Sequence, residues 1–161
     1  MITKIDLDCL YNWAKDINFP IKNAPTSEGY SNQVVKHYWL KSTIKTTLIR
    51  KRIMPENVFE LYQNEEILYS GYAFFDSGTI LGPHKDPDIY KKPYRRIQIP
   101  IQIPDYEKCY MIWNGDKVFW KEGFPQIYDV MDFTHEGYNL SNKPMTFLFV
   151  DVDKSCVAEI E

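Results

Sequence analysis

Arg96-Ile97-Gln98-Ile99-Pro100-Ile101-Gln102-Ile103 is the stretch that decides the fold of this 161-residue chain. Four isoleucines alternate with Arg, Gln, Pro and Gln, and in an extended strand successive side chains point to opposite faces. The stretch therefore reads as a β-strand with one apolar and one polar face. Short apolar runs of the same kind lie around it at Ile67–Phe75, Cys109–Trp113, Lys117–Trp120, Gln126–Tyr128 and Met145–Val152. Turn clusters separate them, among them Asp76-Ser77-Gly78, Pro104-Asp105 and Asn142-Lys143-Pro144. Trp113-Asn114-Gly115-Asp116 reads as a hairpin, because Asn-Gly supplies the positive φ angles of a type I′ turn. Many short strands at regular spacing specify a mainly β fold, a sandwich or jelly roll.

Towards the N-terminus the pattern changes. Residues 3–17 read as an amphipathic helix, with Thr3 and Asp6 as a capping-box start and Ile5, Leu10, Trp13, Ala14 and Ile17 at helical spacing. A loop marked by Pro20, Pro25, Ser27 and Gly29 comes next. Residues 33–54 fit either a helix or a pair of strands, closed by Pro55. The expected organisation is a single domain over 1–161, with helical or irregular support over 1–65 and a jelly-roll core over 66–155.

Composition narrows the function classes. An apolar fraction of 44% is that of a folded globular chain, and a net charge of −3 speaks against a surface built for nucleic acid. Cys9, Cys109 and Cys156 show no CxxC spacing, which fits a reducing compartment better than a disulfide framework. The N-terminus carries acids where a signal peptide needs an apolar core, and no apolar run approaches the ~20 residues that span a bilayer. A cytoplasmic location and no membrane partner are the expectation. The Lys-, Ile-, Tyr- and Asn-rich, Ala-poor composition points to an AT-rich genome, microbial or viral.

The chemistry sits in Gly82-Pro83-His84-Lys85-Asp86 and, some fifty residues on, Thr134-His135-Glu136. A His and a carboxylate two residues apart share one side of an extended segment, and a distant second His completes the facial triad of a ferrous oxygenase. Of the three histidines, only His37 lies outside this pattern, and it reads as structural or exposed. Lys41, Lys45, Arg50, Lys51 and Arg52 form one basic run, read as a solvated face. Lys85, Lys91, Lys92, Arg95 and Arg96 form a second, able to steer an acidic substrate towards the site. Asp88 to Pro93 reads as a surface loop or a lid over the substrate. Tyr90, Tyr94, Trp113 and Trp120 read as core aromatics or pocket walls.

Segment 73–152 resembles the aspartyl/asparaginyl β-hydroxylase family of iron(II)/2-oxoglutarate dioxygenases. The resemblance is carried by Ser77-Gly78-Thr79-Ile80-Leu81-Gly82-Pro83-His84, Arg95 to Pro104, Trp120-Lys121-Glu122-Gly123, Tyr128-Asp129, His135-Glu136-Gly137-Tyr138-Asn139 and Phe149-Val150-Asp151-Val152. It implies a cupin-like double-stranded β-helix with Fe(II) held by His84 and His135. Asp86 stands in the carboxylate position, which some family members lack. Arg96 falls where the family binds the 2-oxoglutarate carboxylate beside the keto group, a role for a bidentate guanidinium that Lys cannot copy. Gln98 falls where a relative carries an assisting His. The family's anchors for the distal carboxylate, an arginine and a serine, correspond here to Met145 and Ala73. Arg95, Lys117 and Lys143 are the candidates to replace that charge.

The expectation is an Fe(II)/2-oxoglutarate-dependent hydroxylase that uses O₂ on a small molecule or a peptide side chain, with no catalytic residue beyond the metal ligands. Two alternatives stay open on the sequence. One is a cupin-like, non-catalytic binding module. The other is an iron enzyme with a different co-substrate.

Overall fold

The computed structural model describes residues 1–19, 35–44 and 46–156. The loop expected at Pro20 to Gly29 lies outside the described residues. Helix α1 spans Lys4–Ala14, shorter than the sequence pattern. Its capping box is formed: the Thr3 hydroxyl accepts from the Asp6 N–H at 3.3 Å, and the Asp6 carboxylate accepts from the Thr3 N–H at 2.8 Å. The buried stripe is Leu7, Leu10 and Ala14, whereas Ile5 is 80% exposed and Ile17 lies past the helix. The ambiguous stretch after it resolves into strands: β1 (Val35–Ser42) and β2 (Leu48–Ile49), then a 3₁₀ turn at Lys51–Ile53. Helix α2 (Glu56–Tyr62) completes the support.

Eight more strands lie beyond α2: β3 (Ile67–Phe75), β4 (Ile80–His84), β5 (Tyr94–Gln102), β6 (Cys109–Trp113), β7 (Asp116–Phe119), β8 (Gln126–Tyr128), β9 (His135–Asn139) and β10 (Met145–Asp153). They form a six-stranded sheet, β2-β1-β3-β10-β5-β8, and a four-stranded sheet, β4-β9-β6-β7, with every pairing antiparallel. This is the jelly roll that the strand pattern foretells. The β6–β7 hairpin turns at Asn114 (φ 48°) and Gly115 (φ 92°), with Trp113 opposite Asp116.

From Arg96 to Ile101 strand β5 is buried on both faces, so most of the polar side expected there is not a solvent face; Gln102 at its end is exposed. Ile97, Ile99 and Ile101 pack with Leu148, Val150 and Val152 against Leu7, Leu10, Val58 and Tyr62 of the helices. Each such side chain contributes on the order of 1.5–3 kcal/mol by leaving water. Arg96, Gln98 and Pro100 turn the other way, into the space between the two sheets, and are themselves buried. There Ala73, Phe75, Met145, Phe147 and Phe149 of the large sheet meet Cys109 and Met111 of the small one. The helices thus cover one face and release the other to build an interior.

Two local irregularities shape this interior and its edge. Between β4 and β9, Leu81 lies opposite Gly137 and His84 opposite His135, so three steps on one strand match two on the other. This bulge at Gly82-Pro83 keeps His84 on the same inward face as Leu81, against simple alternation. In β5, Pro100 lies just beyond the last residue that β8 pairs, Gln98, and its carbonyl accepts from the Gly123 N–H at 2.9 Å.

Candidate metal centre

The bulge and the start of β9 bring His84 and His135 face to face, with ring centroids 4.4 Å apart. Asp86, two residues past His84, is anchored by its backbone N–H, which donates to the Val130 carbonyl at 2.9 Å. Its Oδ1 stands 3.5 Å from His84 Nε2 and 3.3 Å from His135 Nε2. One donor atom from each of the three residues lies within 4.8 Å of the others. Each imidazole is oriented through its other nitrogen: His84 Nδ1 is 2.7 Å from the Gly82 carbonyl and His135 Nδ1 is 3.1 Å from the Phe133 carbonyl. Such backbone contacts leave Nε2 of both rings for an ion.

Asp86 Oδ1 is buried and makes no hydrogen bond. A buried carboxylate oxygen without a donor is costly, so the position calls for a cation. Two neutral imidazoles and a hard oxygen suit a divalent transition metal and leave one side of it open. The donor set fits iron(II).

The other carboxylate oxygen, Oδ2, accepts from Arg96 Nη1 at 2.6 Å. Arg96 also donates to both oxygens of Asp151, Nε to Oδ1 at 2.7 Å and Nη2 to Oδ2 at 2.9 Å. Tyr90 donates its hydroxyl to Asp151 at 2.6 Å, which pins the loop after Asp86 against β10. Burial alone would push the Asp86 carboxyl up. The Arg96 guanidinium and the two imidazoles outweigh this and hold it well below the usual carboxylate range.

These residues open onto a cleft between the sheets. His84, His135, Arg96 and Gln98 line it, together with Leu81, Phe75, Met111, Trp120, Phe147 and Phe149. Gln98 is set by the Trp120 indole N–H, which donates to its Oε1 at 3.2 Å. His37 is not exposed: it lines the same cleft, with Nδ1 3.2 Å from the Tyr69 hydroxyl, and burial lowers its pKa to about 4, aided by Arg96. It faces inward because it pairs with Ala73 across β1 and β3, on the interior face.

Several expected groups stand elsewhere. Arg95 lies on the opposite side of β5 from Arg96 and pairs with Asp129 at 2.9 Å. Lys117 sits 3.8 Å over the Tyr110 ring, and Lys143 is exposed in the turn before β10. None of the three lines the cleft. Met145 and Ala73 are fully buried among Phe75 and Phe147, so the far end of the interior is apolar. Of the basic runs, Lys41 is buried against the Asn64 carbonyl, Arg50 stacks over Tyr38 and Trp39, and Lys51 sits over Phe59. Lys45 lies outside the described residues. Lys92 pairs with Asp153. Among the described residues, no helix is long and apolar enough to cross a membrane.

Solved structures share this fold. A protein of Photorhabdus luminescens is 13% identical, with 87% of this chain and 89% of that one covered and a TM-score of 0.53. A Thermotoga maritima protein described as a predicted oxalate decarboxylase is 14% identical over 84% of this chain and 98% of that one, with a TM-score of 0.51. A cupin 2 conserved barrel domain protein of Salinispora arenicola is 13% identical, covering 86% and 90%, at a TM-score of 0.50. At such identities the likeness establishes the cupin jelly roll alone. No curated protein matches the sequence. The sequence model of the aspartyl/asparaginyl beta-hydroxylase family matches residues 34–155, a span that takes in β1, the bulged β4, Arg96, His135 and all of β10. Over most of its length, and through every residue of the candidate centre, the chain belongs to the aspartyl/asparaginyl beta-hydroxylase family.

Proposed function

We propose that this chain is an iron(II)-dependent hydroxylase that uses O₂, with His84, Asp86 and His135 as the metal ligands. The observation that carries the reading is the buried, undonated Oδ1 of Asp86 beside the Nε2 atoms of two imidazoles whose Nδ1 atoms are already engaged. A ferrous ion held there would supply the redox chemistry that activates O₂. The chain's own residues have three tasks. Arg96 holds Asp86 in its ionised form, the Gly82 and Phe133 carbonyls fix the ring orientations, and Phe147, Phe149 and Trp120 keep bulk water from the interior. The hydroxylated substrate is a small molecule or a peptide side chain that reaches the open mouth of the cleft.

2-Oxoglutarate does not fit as the family resemblance implies. The guanidinium expected to take its first carboxylate is committed to Asp151 and Asp86, and the distal end holds no cation among the described residues.

Anaerobic titration of the metal-free protein with Fe(II), followed by calorimetry and bound-metal analysis, tests the centre. One ion per chain is expected, and its loss in His135→Ala with an unchanged circular dichroism spectrum. Equal iron content in the folded variant would overturn the ligand assignment.

A further inference from the structure

Charge and polarity in the cleft specify what shares the ion with the protein. Arg96 is the only Lys or Arg among the described residues that line the cleft, and it faces Asp86 and Asp151 at once. Two carboxylates against one guanidinium leave a single negative charge. A divalent ion at His84, Asp86 and His135 converts this into a single positive charge. His37 adds none near neutral pH, since burial lowers its pKa to about 4. Glu136 also borders the cleft, but by strand alternation its side chain lies on the opposite side of β9 from His135, and its carboxylate accepts from the Tyr138 hydroxyl.

The walls then change character with distance from the ion. Along β10 the inward row runs Asp151, Phe149, Phe147, Met145, and along β5 it runs Arg96, Gln98, Pro100. On β3 the inward row ends in Ala73 and Phe75. Charged groups are thus confined to the metal end, His37 on β1 adds one polar ring beside Ala73, and Phe75 and Phe147 close the far side as an apolar wall. Placing a second carboxylate against Phe75, Phe147 and Met145 would bury a charge with no partner.

We infer that the ligand taking the open side of the metal is a monoanionic 2-oxo acid with an uncharged, apolar tail, not a dicarboxylate. This rests on the iron reading above. Its carboxylate and keto oxygens would chelate the ion and cancel the surplus positive charge, while the tail would lie against Phe75, Phe147 and Phe149. Arg96 then serves as a positioning residue for Asp86 and does not touch the ligand.

Fe(II)-loaded protein titrated anaerobically with 4-methyl-2-oxopentanoate, 2-oxoglutarate and the 5-amide of 2-oxoglutarate gives the test, read as the weak visible charge-transfer absorption of the chelate. The amide keeps the shape of 2-oxoglutarate and removes the distal charge. Both monoanions are expected to bind at least about tenfold more tightly than 2-oxoglutarate, one factor of ten in Kd being a modest cost for an unpaired charge. Met145→Arg should shift the preference back towards the dianion, and the amide comparison decides the matter in the unmodified protein if that variant does not fold. Binding of 2-oxoglutarate as tight as that of its amide overturns the inference. So does iron retention with no absorption from any of the three, and in both cases the iron centre stands. Failure to retain iron removes the centre and the inference with it.

Discussion

Arg96 joins three roles that a surface arginine never combines: it is buried, it closes a two-pronged pair with Asp151, and it keeps Asp86 ionised for a metal. Removing one partner of such a buried set leaves the others uncompensated, which costs about 3–5 kcal/mol. Arg96→Met should therefore lower the stability read from urea denaturation by that amount, and Arg96→Lys should not restore it, because an ammonium cannot span both oxygens of Asp151. His37 adds a pH term. Its folded pKa of about 4 lies below the ordinary 6.5, so its stabilisation is present above pH 6.5 and fades as pH falls towards 4. Among the groups that face it are the Tyr69 hydroxyl, Arg96, Asp86 and the Phe149 ring. Metal-free protein should lose up to about 3 kcal/mol over that range through this residue, and His37→Phe should flatten the urea-midpoint profile correspondingly. The grouping of His84, Asp86 and His135 was legible from their spacing taken together with the family resemblance. The ties of Arg96 were not, since Asp151 lies 55 residues away inside an apolar run where nothing marks it as a partner. His37 escaped because a lone histidine in a stretch of ambiguous period shows no face.

At the level of elements, strands with regular patterns were legible and the two that carry the histidines of the candidate centre were not. β4 reads Ile-Leu-Gly-Pro-His and β9 reads His-Glu-Gly-Tyr-Asn, in which glycine, proline and the ligands displace the apolar alternation. The polar row of β5 was legible as a row, but its destination depended on the small sheet covering it. Asn139, the last residue of β9, ties these pieces together. Its amide donates to the carbonyls of Phe75, Asp76 and Lys143 and accepts from Ser141 and Cys109, linking the end of β3, the β9–β10 turn and β6. Asn139→Ala takes a donor from the buried Phe75 carbonyl and loosens the ties to Asp76 and Lys143, and a loss of about 1–3 kcal/mol in chemical denaturation is expected. Iron affinity should fall with it, because β9 also presents His135.

On the scale of the whole molecule, two apolar layers lie back to back on one sheet. The helical layer shields Ile97, Ile99 and Ile101, and the inter-sheet layer surrounds the cleft. The jelly roll itself was legible, because strand number and turn spacing restrict the ways such a chain can close. Which face the helices would cover was not, since isoleucine alternation is symmetric until a partner is known. Metal binding to the folded form alone should stabilise the whole fold. Fe(II) at one hundred times its Kd adds about 2.7 kcal/mol, visible as a rise in Tm that Asp86→Ala abolishes. Pro100 has a further effect at this scale. Past Gln98 the flank of the large sheet has no neighbouring strand among the described residues, and there the backbone offers a pyrrolidine ring instead of an N–H and a carbonyl already taken by Gly123. A segment of another chain arriving at that flank would find no ladder to extend. This flank of a sheet rich in isoleucine and phenylalanine is thereby kept from serving as a template for fibrous growth.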